Sequence, residues 1–228
     1  PAELPITINA IRSQQFRWNK GGAENFRKFI AQVITAKGHP IWTKINAFFH
    51  LINSSMFLNI LLVSIVSVPL IYIKSAYPEL SLAYDISTLF IISTIIFFTC
   101  YWFIHKYIYG GGLRSFLQYI NRFISFYTLV MGFSIHNSIA VLEGYVGKKS
   151  SFVRTPKFNK SKMKDNKYTI KKISFYSFIE IALAFYFLFG MYASFNIVAK
   201  VDFGLFLFHF FLFIGFSSIS YQGLKQSI

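Results

Sequence analysis

Acid is scarce in this sequence: eight Asp and Glu stand against 23 Lys and Arg among 228 residues, and charged side chains make up only 14%. A soluble domain carries about 25% charge, so a soluble globular chain is excluded. With so few acids spread along the chain, no paired carboxylate is present for general acid–base work or for holding a divalent metal. The single cysteine, Cys100, lies inside an apolar stretch, which rules out an internal disulfide and a thiolate metal site. The first 20 residues lack the apolar core of a signal peptide and start on Pro1, so the sequence reads as a fragment of a longer protein. No repeat with a period of about 20 to 50 residues is present.

What is abundant is apolar and aromatic surface, 54% and 20% of the chain. Several uncharged runs reach the roughly 18 residues needed to cross a bilayer core of about 30 Å. The segment 5–35 has helical periodicity, with Phe26, Phe29, Ile30, Val33 and Ile34 on one face, and reads as an amphipathic helix lying on a membrane surface. Gly38, His39 and Pro40 end it. Runs at 47–73 (with Pro69 expected to kink its far end), 86–104, 175–199 and 203–221 read as spans. The run 123–142 is also long enough, but Asn121, Ser125, Thr128, Gly132, His136 and Glu143 recur mostly at three- or four-residue steps, the stripe of an interfacial helix. The segment 147–172 holds ten Lys or Arg and one acid and reads as a basic loop.

Charge then orients the chain. With four spans, the loops at 74–85 and 200–202 share one side and contain only Lys74 and Lys200, while the other 21 basic residues fall on the opposite, cytosolic side. The expected fold is an all-α membrane protein of four transmembrane helices and two cytosolic interfacial amphipathic helices. Its parts are the first interfacial helix at 1–44, a transmembrane pair at 45–104, an interfacial helix at 105–146, the basic loop at 147–172 and a second pair at 173–228.

Chemistry concentrates in two places. Gln14, Gln15, Phe16, Arg17 and Trp18 set two amides, a guanidinium and an indole within about one and a half turns of helix. A guanidinium fork matches phosphate oxygens, amides donate to hydroxyls, and an indole face is a platform for a sugar ring. The alternative is plain anchoring of Trp18 and Arg17 at lipid headgroups. The second place is Phe152, Val153, Arg154, Thr155, Pro156 and Lys157 in the basic loop, with binding of anionic lipid as the alternative.

These residues carry a resemblance. QxxRW is the signature of processive family 2 glycosyltransferases, the group of cellulose, chitin, hyaluronan and mannan synthases. With Glu3, Leu4 and Pro5 ahead of it, the segment resembles the ELP and QQxRW of cellulose synthase-like mannan synthases. The loop resembles the FxVTxK gating loop of cellulose synthases, departing at Arg154, where the family has valine. The resemblance implies that Trp18 contacts the acceptor sugar, that Gln14, Gln15 and Arg17 lie near the nucleotide diphosphate, and that Phe152, Thr155 and Lys157 close over the donor. It also implies an upstream α/β glycosyltransferase domain carrying the general base and a DxD that holds Mg²⁺ or Mn²⁺; neither a catalytic residue nor a metal ligand is expected in this chain, which alone is expected to be inactive.

The implied activity is transfer of sugar from a nucleotide sugar of the GDP-mannose or UDP-glucose class to a growing β-linked polysaccharide, which the membrane half translocates. A non-processive lipid glycosyltransferase and a non-catalytic membrane or transport subunit are the alternatives. Partners are then the donor, a glycan acceptor and the bilayer; nucleic acid is set aside, because the basic residues flank spans and form no base-reading module. A bacterial inner membrane is expected, with the Golgi as the alternative. Among the remaining polar residues, His136 and Asn137 with Glu143 read as a metal or proton site or as groups meeting headgroups. Glu180, an acid inside a span, either lines a channel or snorkels, and His209 is expected to be satisfied by a helix neighbour. Phe185, Tyr186 and Phe189 read as glycan contacts or as packing.

Overall fold

The computed structural model describes residues 8–88, 90–149, 175–197 and 201–225, and among them every regular element is helical. In chain order these are α1 (Ile8–Thr35), α2 (Ile41–Ile52), α3 (Met56–Ala76), α4 (Ser81–Thr88), α5 (Phe90–Tyr109), α6 (Leu113–Gly132), α7 (Ser134–Val146), α8 (Phe175–Asn196) and α9 (Phe203–Lys225). The breaks follow the punctuation. Gly38 takes φ +80° and Pro40 stands just ahead of α2, while Gly110 and Gly112 take φ +83° and +106° in the turn between α5 and α6. Positive φ is open to glycine at little steric cost.

Among the described residues three stretches are long and apolar enough to cross a membrane: Ile41–Ala76, in which α2 and α3 run on through a 3₁₀ turn at Asn53–Ser55, together with α8 and α9. The expected 86–104 span falls on α4 and α5. The stretch expected as one interfacial helix is two, α6 and α7, which meet at Phe133 with a 52° bend and by length and composition make a fourth candidate span together. All-α membrane architecture is thus what the structure holds, with three to four stretches among the described residues long and apolar enough to span.

α8 and α9 form the most extensive pair, and Val68, Ala184, Phe187, Leu212 and Phe216 make the core between α3, α8 and α9. α6 lies along α9 where two glycines meet: a Cβ on Gly132 would stand 2.5 Å from the Gly215 carbonyl oxygen. Small residues at such crossings let membrane helices approach backbone to backbone. α5 is held to α6 by a run of rings, Phe98, Trp102 and His105 against Phe116, Tyr119 and Phe123. At the end opposite α1, Lys74 Nζ pairs with Asp202 Oδ2 at 2.7 Å, so the two sparsely charged loops are neighbours as the charge pattern requires. Burial pushes the Asp202 carboxyl up, but donation from the Leu205 and Gly204 backbone and the Lys74 ammonium outweighs it and holds the group below the usual carboxylate range.

Pro69 lies inside α3 and has no N–H for the Ile65 carbonyl four residues back. That carbonyl accepts instead from the Tyr186 hydroxyl of α8 at 2.6 Å. In hydrocarbon an orphaned carbonyl has no water to turn to, so a neighbouring helix supplies the donor. Tyr186→Phe is expected to lower stability by about 1 kcal/mol. In a Pro69→Ala background, where a backbone N–H returns, the same substitution should have no effect; denaturant titration of the four proteins in detergent checks this. Tyr186 therefore has a packing role, tied to a specific carbonyl, beside its reading as a glycan contact.

Candidate functional site

The site is built on α1, whose first half has two faces. At about 100° per residue, Arg12, Phe16, Asn19, Lys20 and Ala23 share one side, and all but the half-buried Phe16 are buried. Gln14, Arg17 and Trp18 occupy an arc of about 100° on the opposite side, with Gln15 on the flank between. The motif thus divides by spacing alone: its outer face is presented and its inner face is gripped.

The grip comes from α7 and α8. Arg12 sends one terminal nitrogen to both carboxylate oxygens of Glu180 on α8, at 2.6 and 2.5 Å, with the acid fully buried. The Arg12 carbonyl lies 3.1 Å from Nε2 of His136 on α7, and the same imidazole packs against Phe16 and Tyr176 with ring centroids 5.2 and 5.5 Å apart. Two turns on, Lys20 Nζ reaches Glu143 Oε2 at 3.0 Å, and the other oxygen of Glu143 takes Lys148 at 2.6 Å. The Glu143 carboxylate raises the Lys148 ammonium above the ordinary lysine value, chiefly through that hydrogen bond. Beside this ion pair the helices touch main chain to main chain: a Cβ on Gly144 would stand 2.6 Å from the Lys20 carbonyl oxygen.

α7 then ends in a left-handed glycine. Gly147 has φ +72°, and the N–H groups of Gly147 and Lys148 return to the carbonyls of Gly144 and Glu143 at 3.2 and 3.0 Å. This Schellman-type stop needs the glycine. It fixes where the basic segment leaves α7, beside α1. The residues of that segment assigned to donor closure, Phe152, Thr155 and Lys157, lie outside the described residues.

On the presented face Trp18 is 62% exposed, and Gln14, Gln15 and Arg17 are half-buried. Asn19 donates to the Gln15 carbonyl at 2.9 Å within the helix. The structure therefore brings Gln14, Arg17 and Trp18 together and leaves Gln15 at the edge. The grouping of His136 with Asn137 and Glu143 separates, because His136 serves Arg12 and Glu143 serves two lysines. Among the described residues no three His, Cys, Asp or Glu side chains could hold a metal ion. Arg12 and Lys20 escape a reading of the sequence by motif. Their signal is the pair of acids, Glu143 and Glu180, each placed in an apolar helix where an acid needs a partner.

Over 49 residues, 22% of its length, the chain is 41% identical to glucomannan 4-beta-mannosyltransferase 1 of Oryza sativa subsp. japonica. It is 43% identical over 56 residues to probable glucomannan 4-beta-mannosyltransferase 2 of the same plant, and 40% identical over 47 residues to glucomannan 4-beta-mannosyltransferase 9 of Arabidopsis thaliana. The chain resembles the cellulose synthase-like family 2 glycosyltransferases. The matched segment spans about a tenth of the length of these relatives, 9% in each of the three named. No family model and no solved structure matches.

Proposed function

We propose that this chain is the acceptor-binding and channel-forming membrane part of a glycosyltransferase, extending a β-linked polysaccharide from a nucleotide sugar. The observation that supports it is the presented face of α1, where an exposed indole stands one turn from Gln14 and beside Arg17 while the opposite face is buried. An isolated headgroup anchor needs no such arrangement; a guanidinium and an amide flanking an aromatic platform suit a sugar next to a diphosphate. The names of the relatives add glucomannan and mannosyl transfer, which favours GDP-mannose over UDP-glucose as donor.

In this reading Trp18 packs on the acceptor ring. Arg17 and Gln14 face the diphosphate and offset the charge that builds on it as the glycosidic bond forms, with Gln15 beside them. Phe152, Thr155 and Lys157 exclude water from the donor. The acids Glu143 and Glu180 do not make a metal site, since both are engaged by cations. The resemblance to family 2 glycosyltransferases, and not this chain, is what assigns a Mg²⁺ or Mn²⁺ ion to a separate catalytic domain. The spanning helices support a multi-pass membrane protein; the matched relatives are plant proteins and lend no support to the bacterial inner membrane expected above.

The test uses the full-length protein in membranes, supplied with labelled GDP-mannose or UDP-glucose. Arg17→Ala is expected to lower kcat about 10- to 100-fold, the equivalent of a lost charge-assisted hydrogen bond of about 1.5–3 kcal/mol. Trp18→Ala is expected to raise the acceptor KM about tenfold. Unchanged synthesis in both variants removes the assigned roles and leaves a non-catalytic subunit. A product carrying one sugar on a lipid replaces polymer extension with single addition.

A further inference from the structure

Arg12 lies two residues before the QQFRW segment and is absent from the motif, yet its side chain is buried and ion-paired. It is 5% exposed, and its guanidinium grips both oxygens of a carboxylate that is 0% exposed, 168 residues away on α8. Its carbonyl is engaged by His136 from α7. From α9, Gly223 closes over the same group: a Cβ there would stand 3.1 Å from Ser177 Oγ and 3.3 Å from Arg12 Nη1, so a side chain at this position would press on the guanidinium. Three helices thus converge on one turn of α1. At about 1.5 Å per residue, that turn is about 3 Å along the axis from Gln14 and about 9 Å from Trp18.

A buried ion pair is a poor way to gain stability, since well-packed apolar residues of similar volume commonly do as well. What it supplies is geometry, because a charge-assisted pair in an apolar surrounding has one favourable arrangement whereas an apolar contact tolerates many. We infer that Arg12 and Glu180 are positioning residues: their pair fixes the rotation and height of α1 against α8, and so sets where Trp18 and Arg17 stand at the membrane surface. The pair touches neither sugar nor nucleotide; it acts through the helix. This inference rests on the reading of Trp18 and Arg17 given above, and its test carries one readout that does not.

Two variants of the full-length protein separate positioning from mere stability. The apolar double variant Arg12→Met/Glu180→Leu is expected to fold with an unfolding midpoint near that of the parent, yet to show an acceptor KM raised about five- to tenfold with the donor KM unchanged. The exchanged pair Arg12→Glu/Glu180→Arg is expected to recover part of that loss. The independent readout is the distance between spin labels at Asn25→Cys on α1 and Tyr192→Cys on α8, in a background without other cysteines. The distribution should broaden in the apolar double variant.

A stable double variant with unchanged acceptor KM and an unchanged label distance overturns the inference. A broadened distance with synthesis indifferent to Trp18→Ala keeps the positioning role and overturns the function assigned to the motif instead. If the double variant does not fold, Glu180→Gln, which keeps one acceptor oxygen for Arg12, takes its place in both measurements: a raised acceptor KM with a broadened distance supports positioning, and no change in either overturns it.

Discussion

Glu180→Ala is expected to lower the unfolding free energy of the full-length protein by about 3–5 kcal/mol. The acid is fully buried and its only charged partner among the described residues is Arg12, itself almost wholly enclosed. Removing the acid strands a guanidinium that cannot give up its proton in a site closed by α7, α8 and α9. Arg12→Ala should be the milder half of the comparison, because a carboxyl left alone can take up a proton and become a neutral group. The double alanine variant should then lose much less than the sum of the singles, the non-additivity expected of groups in contact. Denaturant unfolding in detergent, followed by tryptophan fluorescence, measures all three. A Glu180→Ala loss below about 1 kcal/mol would place the pair in a far wetter setting than the structure gives it.

Gly144→Val is the second large effect. The added Cβ meets the Lys20 carbonyl oxygen at 2.6 Å, the Ala23 Cβ at 2.7 Å and the Glu24 nitrogen at 3.3 Å. Two of these three are backbone atoms and cannot turn aside as the end of a long side chain can. α7 must move off α1, at a loss of about 3 kcal/mol or more, and it takes the Lys20–Glu143 pair with it. Gly21, one turn along the same helix from Arg17, would carry a Cβ with nothing within 4 Å of it, so Gly21→Ala serves as the control. It should raise stability by about 0.5–1 kcal/mol, the propensity difference of an open helical glycine. The unfolding midpoints of the two variants, read side by side, make the check.

Much of this organisation can be read from residues. The breaks at Gly38–Pro40 and at the 110–112 glycines, the apolar runs and the helical setting of QQFRW all depend on local rules, and each is where those rules put it. The polar stripe of 123–142 is the instructive departure. Of its residues Asn121 and Ser125 are exposed, but Thr128 and Gly132 turn inward and are buried, as are Ser134, Asn137 and Ser138 beside it, Ser138 donating to the Phe57 carbonyl of α3 at 2.8 Å. Periodicity tells that a face is polar and is silent on whether water or another helix covers it. His209 illustrates the same limit: a partner is expected, and besides Ser194 of the adjacent α8 at 3.5 Å its ring meets Ser67 of α3 at 2.8 Å, 142 residues back along the chain. Arg12 and Lys20 are hidden for a related reason. Cations on a surface helix look solvated until the acids that claim them arrive from distant segments.

The contact of Gly132 with Gly215 has a mechanical consequence. Where main chain rests on main chain there are no rotamers to rearrange, so a push on α9 reaches α6 without slack. α8 is tied to α9 through the packed core, and α1 to α8 through Arg12. These helices are thereby linked in one chain of contacts, and α5 joins it through α6, by its rings and by the Tyr119 hydroxyl, which donates to the Phe98 carbonyl at 2.5 Å.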